Sequence, residues 1–223
     1  MKAANSGMKL FFFCCVVALT ACHHRTKAMS FYYWRTVFSL DSPETKTLHD
    51  NSVRTLYIRY FDVDWPETDS IPGPVSPIHF TTSPASYTII PVVYFRNRVF
   101  EKLTPAALPR FAARVFALVQ QISGAQTIRS NEIQFDCDWT QRTKDNYFNF
   151  LRTYQKLSGN DLSCTIRLHQ VKYPDRSGIP PVSHGILMYY NMGNIDAGEG
   201  SSIYEKAIAH RYTPSLRTYP MPL

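Results

Sequence analysis

Six apolar runs of strand length, each followed by a helical or irregular crossover and each ending among polar residues, restrict this chain to an α/β architecture. The runs cover 31–38, 55–61, 87–95, 133–139, 162–171 and 185–191. Between them, Thr104 and Pro105 open a helix in which Leu108, Phe111, Ala112, Val115, Phe116, Leu118, Val119 and Ile122 recur at helical spacing, with Gly124 as its stop. A second helix starts at Thr143, carries Tyr147, Phe150, Leu151 and Tyr154 on one face, and closes near Ser158 and Gly159. Shorter helices are expected at 42–51 and 203–211. Pro66, Pro72, Pro74, Pro77 and Pro84 make the stretch after the second strand a loop. Strands that alternate with crossovers predict a parallel (β/α) barrel-like fold, incomplete, with about six strand–helix units. The alternative is a doubly wound open sheet, although the chain lacks both a Gly-x-Gly-x-x-Gly turn and a P-loop.

The N-terminus reads as a targeting segment. Lys2 and Lys9 precede a short apolar run, and Leu19-Thr20-Ala21-Cys22 resembles a bacterial lipobox. The run is about half the length of a membrane span. The expected organisation is therefore a signal peptide at 1–21, a lipid-anchored tether at 22–30 and one domain at 31–223, with Cys22 the lipidated residue. This places the protein in a bacterial cell envelope, exported and held at the outer membrane through the lipid. Loss of residues 1–21 lowers the net charge from +7 to about +5, too diffuse for a nucleic-acid partner, and no basic block interleaved with aromatics occurs. Cys137 and Cys164 could form a disulfide in an oxidising compartment, but their apolar neighbours suit buried thiols.

The chemistry concentrates in 132–140. Asp136 and Asp138 lie two residues apart in a strand and project from one face, so their repulsion would raise one pKa. A hydrogen-bonded structural pair is the plain alternative. On the fifth strand Thr165, Arg167 and His169 share a face by alternation. Arg167 could then pair with Asp136 and lower its pKa, while His169 reaches the barrel mouth. Asp62 and Asp64 end the second strand. Trp65 and Trp139 each follow an Asp, an arrangement that can make a sugar platform, or can simply pack under helices. No loop has the spacing of a known cation site and the histidines are dispersed, so neither metal nor cofactor is expected.

Asp136-Cys137-Asp138-Trp139-Thr140 and Met188-Tyr189-Tyr190-Asn191 resemble the fourth- and sixth-strand motifs of chitinase-like glycoside hydrolases, Asp-x-Asp-x-Glu and Met-x-Tyr-Asp. The resemblance implies a (β/α) barrel, Asp136 and Asp138 as catalytic carboxylates, and Tyr190 and Asn191 as ligand-orienting residues. The polar plug of a barrel end is their other reading. The family's proton-donating Glu is replaced by Thr140, which cannot serve as that acid.

The segments 31–34, 61–65, 134–140, 165–170, 179–182 and 187–193 also resemble a group of Bacteroidetes-type bacterial lipoproteins with a hydrolase-like barrel. In such proteins a further strand follows a segment like 219–223. The resemblance thus implies a barrel cut after six units, whose open sheet edges a protein partner could cover. The expectation is an envelope lipoprotein that binds or hydrolyses a glycan. In the hydrolytic reading Asp138 is the acid/base and Asp136 its electrostatic partner, with Asp62 or Asp64 standing in for the missing Glu. The alternatives are a non-catalytic glycan-binding or scaffolding lipoprotein, and an inactive fragment.

Overall fold

The computed structural model describes residues 28–190 and 206–223. The expected leader, Cys22 and Asn191 lie outside the described residues. In chain order the elements are β1 (Ser30–Tyr33), β2 (Val37–Phe38), α1 (Ser42–Asp50), β3 (Thr55–Asp64), β4 (Gly73–Val75), β5 (His79–Phe80), β6 (Thr88–Phe95) and α2 (Arg98–Lys102). There follow α3 (Leu108–Ala125), β7 (Glu132–Cys137), α4 (Lys144–Ser158), β8 (Asp161–Arg167), α5 (Leu168–Lys172), α6 (Pro174–Ser177), β9 (His184–Met188) and α7 (Lys206–Thr218).

Six strands pair in parallel in the order β1-β3-β6-β7-β8-β9, and β4 adds antiparallel to β3. The spatial order follows chain order without reversal. A doubly wound sheet reverses at its switch point, so that alternative is excluded and the fold is an incomplete (β/α) barrel. The curl of the sheet is visible in one contact. The Tyr32 hydroxyl on β1 donates to Gln134 Oε1 on β7 at 2.8 Å, with β3 and β6 lying between. Three strand spacings in a flat sheet would be about 14 Å, beyond the reach of two side chains meeting head to head.

The convex face is the core. Phe95 and Phe135 point outward from adjacent strands into Phe100, Phe111, Phe150 and Tyr154, with Phe95–Phe150 centroids at 4.9 Å and Phe135–Tyr154 at 4.8 Å. Buried Leu108, Phe111, Ala112, Val115 and Val119 give α3 a single apolar face, and Gly159 in a left-handed conformation (φ 68) ends α4. At the start of α1, Asp41 accepts from the Glu44 amide at 2.7 Å while the Glu44 carboxylate accepts from the Asp41 amide. Cys137 and Cys164 are buried free thiols.

Several boundaries differ from the sequence expectation for local reasons. The first predicted strand divides into β1 and β2, and β2 pairs with β5 inside the proline-rich segment. The fifth strand stops at Arg167 instead of 171. Gln170 Oε1 accepts from the Arg167 amide at 2.8 Å and turns the chain into α5, so the apolar residues Leu168 and Val171 are buried at helical spacing. The last helix runs on through Pro214 to Thr218, beyond the expected 211. Pro91, in the middle of β6, is tolerated because the β6–β7 ladder begins one residue later, at Val92 and Gln134.

The C-terminal residues bear on the outermost strand. The Gly185 amide on β9 donates to the Pro222 carbonyl at 2.8 Å. A Cβ at Gly185 would lie 2.6 Å from Ile166 Cγ1 and 2.8 Å from Leu223 Cδ2, so only glycine permits this close approach. The β9 edge is thus covered in part by the chain itself.

Candidate functional site

The concave face is polar where a closed barrel would be packed with branched apolar side chains. Register explains which residues face inward. Tyr94 is opposite Asp62 on one side and Asp136 on the other, Gln134 is opposite Ser163, and Arg167 is opposite Met188. The register shift between Arg59 and Phe61 matters here. Residues three apart on a regular strand point to opposite faces, yet Arg59 Nε donates to Asp62 Oδ1 at 2.6 Å because the irregularity brings both inward. At the other end of the barrel, Ser163 Oγ donates to Glu132 Oε1 at 2.6 Å and His184 Nε2 lies 3.4 Å from the same oxygen.

Asp136 and Asp138 do share this face, and they differ sharply. Asp136 is 4% exposed, one layer down, and accepts from Thr165 Oγ1 at 2.5 Å. Burial pushes its pKa up to about 6. The Thr165 bond and Arg167 oppose that rise, while Asp138 and Asp62 add to it. Asp138 caps the strand end with its side chain 50% exposed, and takes both prongs of Arg167, Nε at 2.5 Å and NH2 at 2.8 Å. The expected Arg167–Asp136 pair is therefore corrected. One step further along β8, Arg167 reaches the next carboxylate up and Thr165 takes its place at Asp136. The acid whose pKa burial raises is Asp136, the deeper of the two.

Above Asp138 a cavity of about 480 Å³ opens at the C-terminal ends of β7, β8 and β9. Asp138, Trp139, Thr140, Arg167, Leu168, His169, Met188 and Tyr190 contribute to its wall, joined by Tyr212 from α7. His169 comes from the first turn of α5 rather than from a strand. Partial burial, and then the Arg167 cation, lower its pKa, which keeps the solvent-open ring neutral near pH 7. Tyr190 is exposed and its hydroxyl lies 3.4 Å from Met188 Sδ. Thr140 belongs to a hydroxyl chain at the start of α4. Its amide donates to Thr143 Oγ1 at 2.9 Å, and Thr143 Oγ1 donates to Asn97 Oδ1 at 2.6 Å.

Trp139 is packed into the core rather than laid open as a platform. Trp139 is 2% exposed, stacked on Tyr147 at 5.4 Å and edged by Phe148, with its Nε1 donating to the Ser177 carbonyl at 2.9 Å. Trp65 donates to the Asp69 carbonyl at 2.9 Å and lies off the cavity. Asp64 is a structural clamp as well. Arg98 Nε and NH2 each reach it at 2.5 Å, Arg96 lies at 3.2 Å, and the Arg98 bonds hold its pKa below the usual carboxylate value. Asp62 stays on the inner face beside Asp136 but is spoken for by Arg59.

Residues the sequence reading missed are Tyr32, Gln134, Thr165 as the partner of Asp136, and Tyr212. Gln134 sits two before Asp136 on the same face and could have been found by alternation; Tyr212 depended on how α7 returns to the sheet. Among the described residues no group of three or more His, Cys, Asp or Glu is placed to hold a metal ion, and no helix is long and apolar enough to cross a membrane.

No family model matches the chain, and no curated protein matches it. Solved structures do. A glycoside hydrolase family 18 chitinase from Cycas revoluta, in complex with (GlcNAc)4, superposes with a TM-score of 0.50 at 12% identity, covering 87% of this chain and 66% of that one. A chitinase from Rhizomucor miehei superposes with a TM-score of 0.47 at 9% identity over 84% of this chain and 59% of that one. This chain thus spans about two thirds of the Cycas enzyme's length. The likeness to the Cycas enzyme bears on the fold alone: a (β/α) barrel, present here in part.

Proposed function

We propose that this protein binds an oligosaccharide at the C-terminal mouth of its partial barrel, without cleaving it, as a lipid-anchored component of a bacterial cell envelope. The observation that carries the reading is the state of Asp138. It is locked by two bonds from Arg167 on the floor of the cavity, yet half of its surface remains open, beside Thr140 rather than a second acid. A carboxylate has about four lone-pair directions, and two are occupied. The remaining acceptor sites of Asp138, the donors of Arg167 and the ring of Tyr190 suit a ligand rich in hydroxyls.

Glycoside hydrolysis requires a proton donor at the leaving oxygen and, outside the substrate-assisted families, a second carboxylate at a set distance. The buried Asp136 has a raised pKa, but it lies beneath Asp138 and its Oδ1 is engaged by Thr165, while Asp62 and Asp64 are tied to arginines. The (GlcNAc)4 bound by the Cycas chitinase makes chito-oligosaccharides the first ligands to try. Acylation at Cys22 would tether the domain to the membrane, and palmitate labelling lost in Cys22→Ser checks that part separately. For the binding reading, thermal melts of the full chain with chito-, cello- and xylo-tetraose should show a rise in midpoint with one of them, since a ligand selective for the native state stabilises it. Unshifted midpoints at millimolar sugar, for all three, count against it.

A further inference from the structure

Sugar-binding sites pair polar hydrogen-bonding groups with an aromatic face, and in this cavity the two tryptophans near the carboxylates do not supply one. Trp139 is covered on its own side by Tyr147 and Phe148, and Trp65 is turned to Asp69. Trp139, Tyr190 and Tyr212 are the aromatic residues lining the cavity, and with Trp139 only 2% exposed the accessible aromatic surface comes from Tyr190 and Tyr212. Tyr212 differs from every other wall residue in its origin. It arrives on α7, which packs against α5, and so it faces the strand ends from a separate element. Its ring is also held in place. Lys172 on α5 puts its ammonium 5.2 Å from the Tyr212 centroid and 5.4 Å from that of Tyr173, bridging the two rings. Such a cation–π contact favours one rotamer of a half-buried tyrosine.

We infer that Tyr212, latched by Lys172, is a specificity-determining residue of the cavity: its ring is the wall against which a pyranose hydrogen-bonded to Asp138 and Arg167 packs its apolar face. This rests on the glycan-binding reading above. It adds a residue outside the strand-end motifs and makes α7, through Tyr212, part of the site. The latch also has a consequence for the sequence of binding. Because Lys172 holds the ring before ligand arrives, less side-chain freedom is lost on association.

The test is calorimetric titration of the full chain with chito-, cello- and xylo-tetraose, comparing wild type, Asp138→Asn, Tyr212→Ala, Tyr212→Phe and Lys172→Met. Tyr212→Ala should lower affinity about tenfold, equivalent to about 1.4 kcal/mol, Tyr212→Phe should recover most of that loss, and Lys172→Met should cost about threefold. Tyr212→Leu, which retains apolar volume without the ring, carries the same expectation as Tyr212→Ala should that variant melt without cooperativity. If wild type binds and Asp138→Asn weakens it while Tyr212→Ala binds as wild type does, the assignment of Tyr212 is wrong and the glycan reading stands. If wild type gives no saturable heat with any of the three sugars, the glycan reading fails and this inference goes with it.

Discussion

Asp64 and Asp138 each lie at or just past the end of a parallel strand, each followed by a tryptophan, and each takes a two-pronged bond from an arginine, yet only Asp138 opens on a cavity. The Asp64 side chain is 11% exposed, holds a second arginine and accepts from the Trp65 amide. The Asp138 side chain is 50% exposed with unused acceptor positions. Identical local chemistry therefore yields a fastening in one place and a candidate recognition element in the other. What separates them is the number of partners and the access of solvent, neither of which is written in a dipeptide.

The largest effect that would break this contrast belongs to Asp64. Asp64→Ala removes the acceptor from Arg98, Arg96 and the Trp65 amide, and should destabilise by about 2–4 kcal/mol in urea unfolding, below the full buried-pair penalty because Arg98 is partly exposed. A loss under about 0.5 kcal/mol would mean that Asp64 is as free as Asp138.

Asp136 gives the next effect, and it depends on pH. Its folded pKa of about 6 lies above the ordinary value of 3.8, so the folded state holds the proton more tightly than the unfolded state. The associated stability is fully present below pH 3.8 and is lost as pH rises through about 6. Asp136→Asn retains an oxygen for Thr165 and removes the charge. It should stabilise by roughly 1–3 kcal/mol at pH 8 and by close to nothing at pH 4, a difference readable in paired denaturation curves. A variant gaining equally at both values would show that charge at Asp136 is not the cause.

Asp138 should have the smallest effect on stability. An exposed pair contributes little, so Asp138→Asn should cost less than about 1 kcal/mol while weakening sugar binding at least tenfold. If its stability loss matched that of Asp64→Ala, both carboxylates would be fastenings.

The fold was legible because its signal is periodic. Period-two strands and the 3.6-residue spacing of Leu108, Phe111, Val115 and Val119 report burial directly, and the strand order followed from it. Pairing was not legible to the same degree. The sequence puts Arg167 on the face of both aspartates, but choosing between Asp136 and Asp138 needs the parallel register, in which Gln134 is opposite Ser163 and each later pair moves up together. The tryptophans kept two readings open for a related reason. An indole after an acid looks the same whether the helix behind it supplies Tyr147 and Phe148 as cover or leaves it open. Tyr212 was out of reach, since it meets the cavity only through the docking of α7 on α5.

The most direct measurement is a titration of the full chain with the tetrasaccharides in which heat and reducing-end release are followed in the same samples, for wild type and Asp138→Asn. Saturable heat with one sugar, at least tenfold weaker in Asp138→Asn and without new reducing ends over a day, is the expected result. New reducing ends produced by wild type and abolished by the substitution would show a working hydrolase, and heat identical in the two proteins would remove Asp138 from the site.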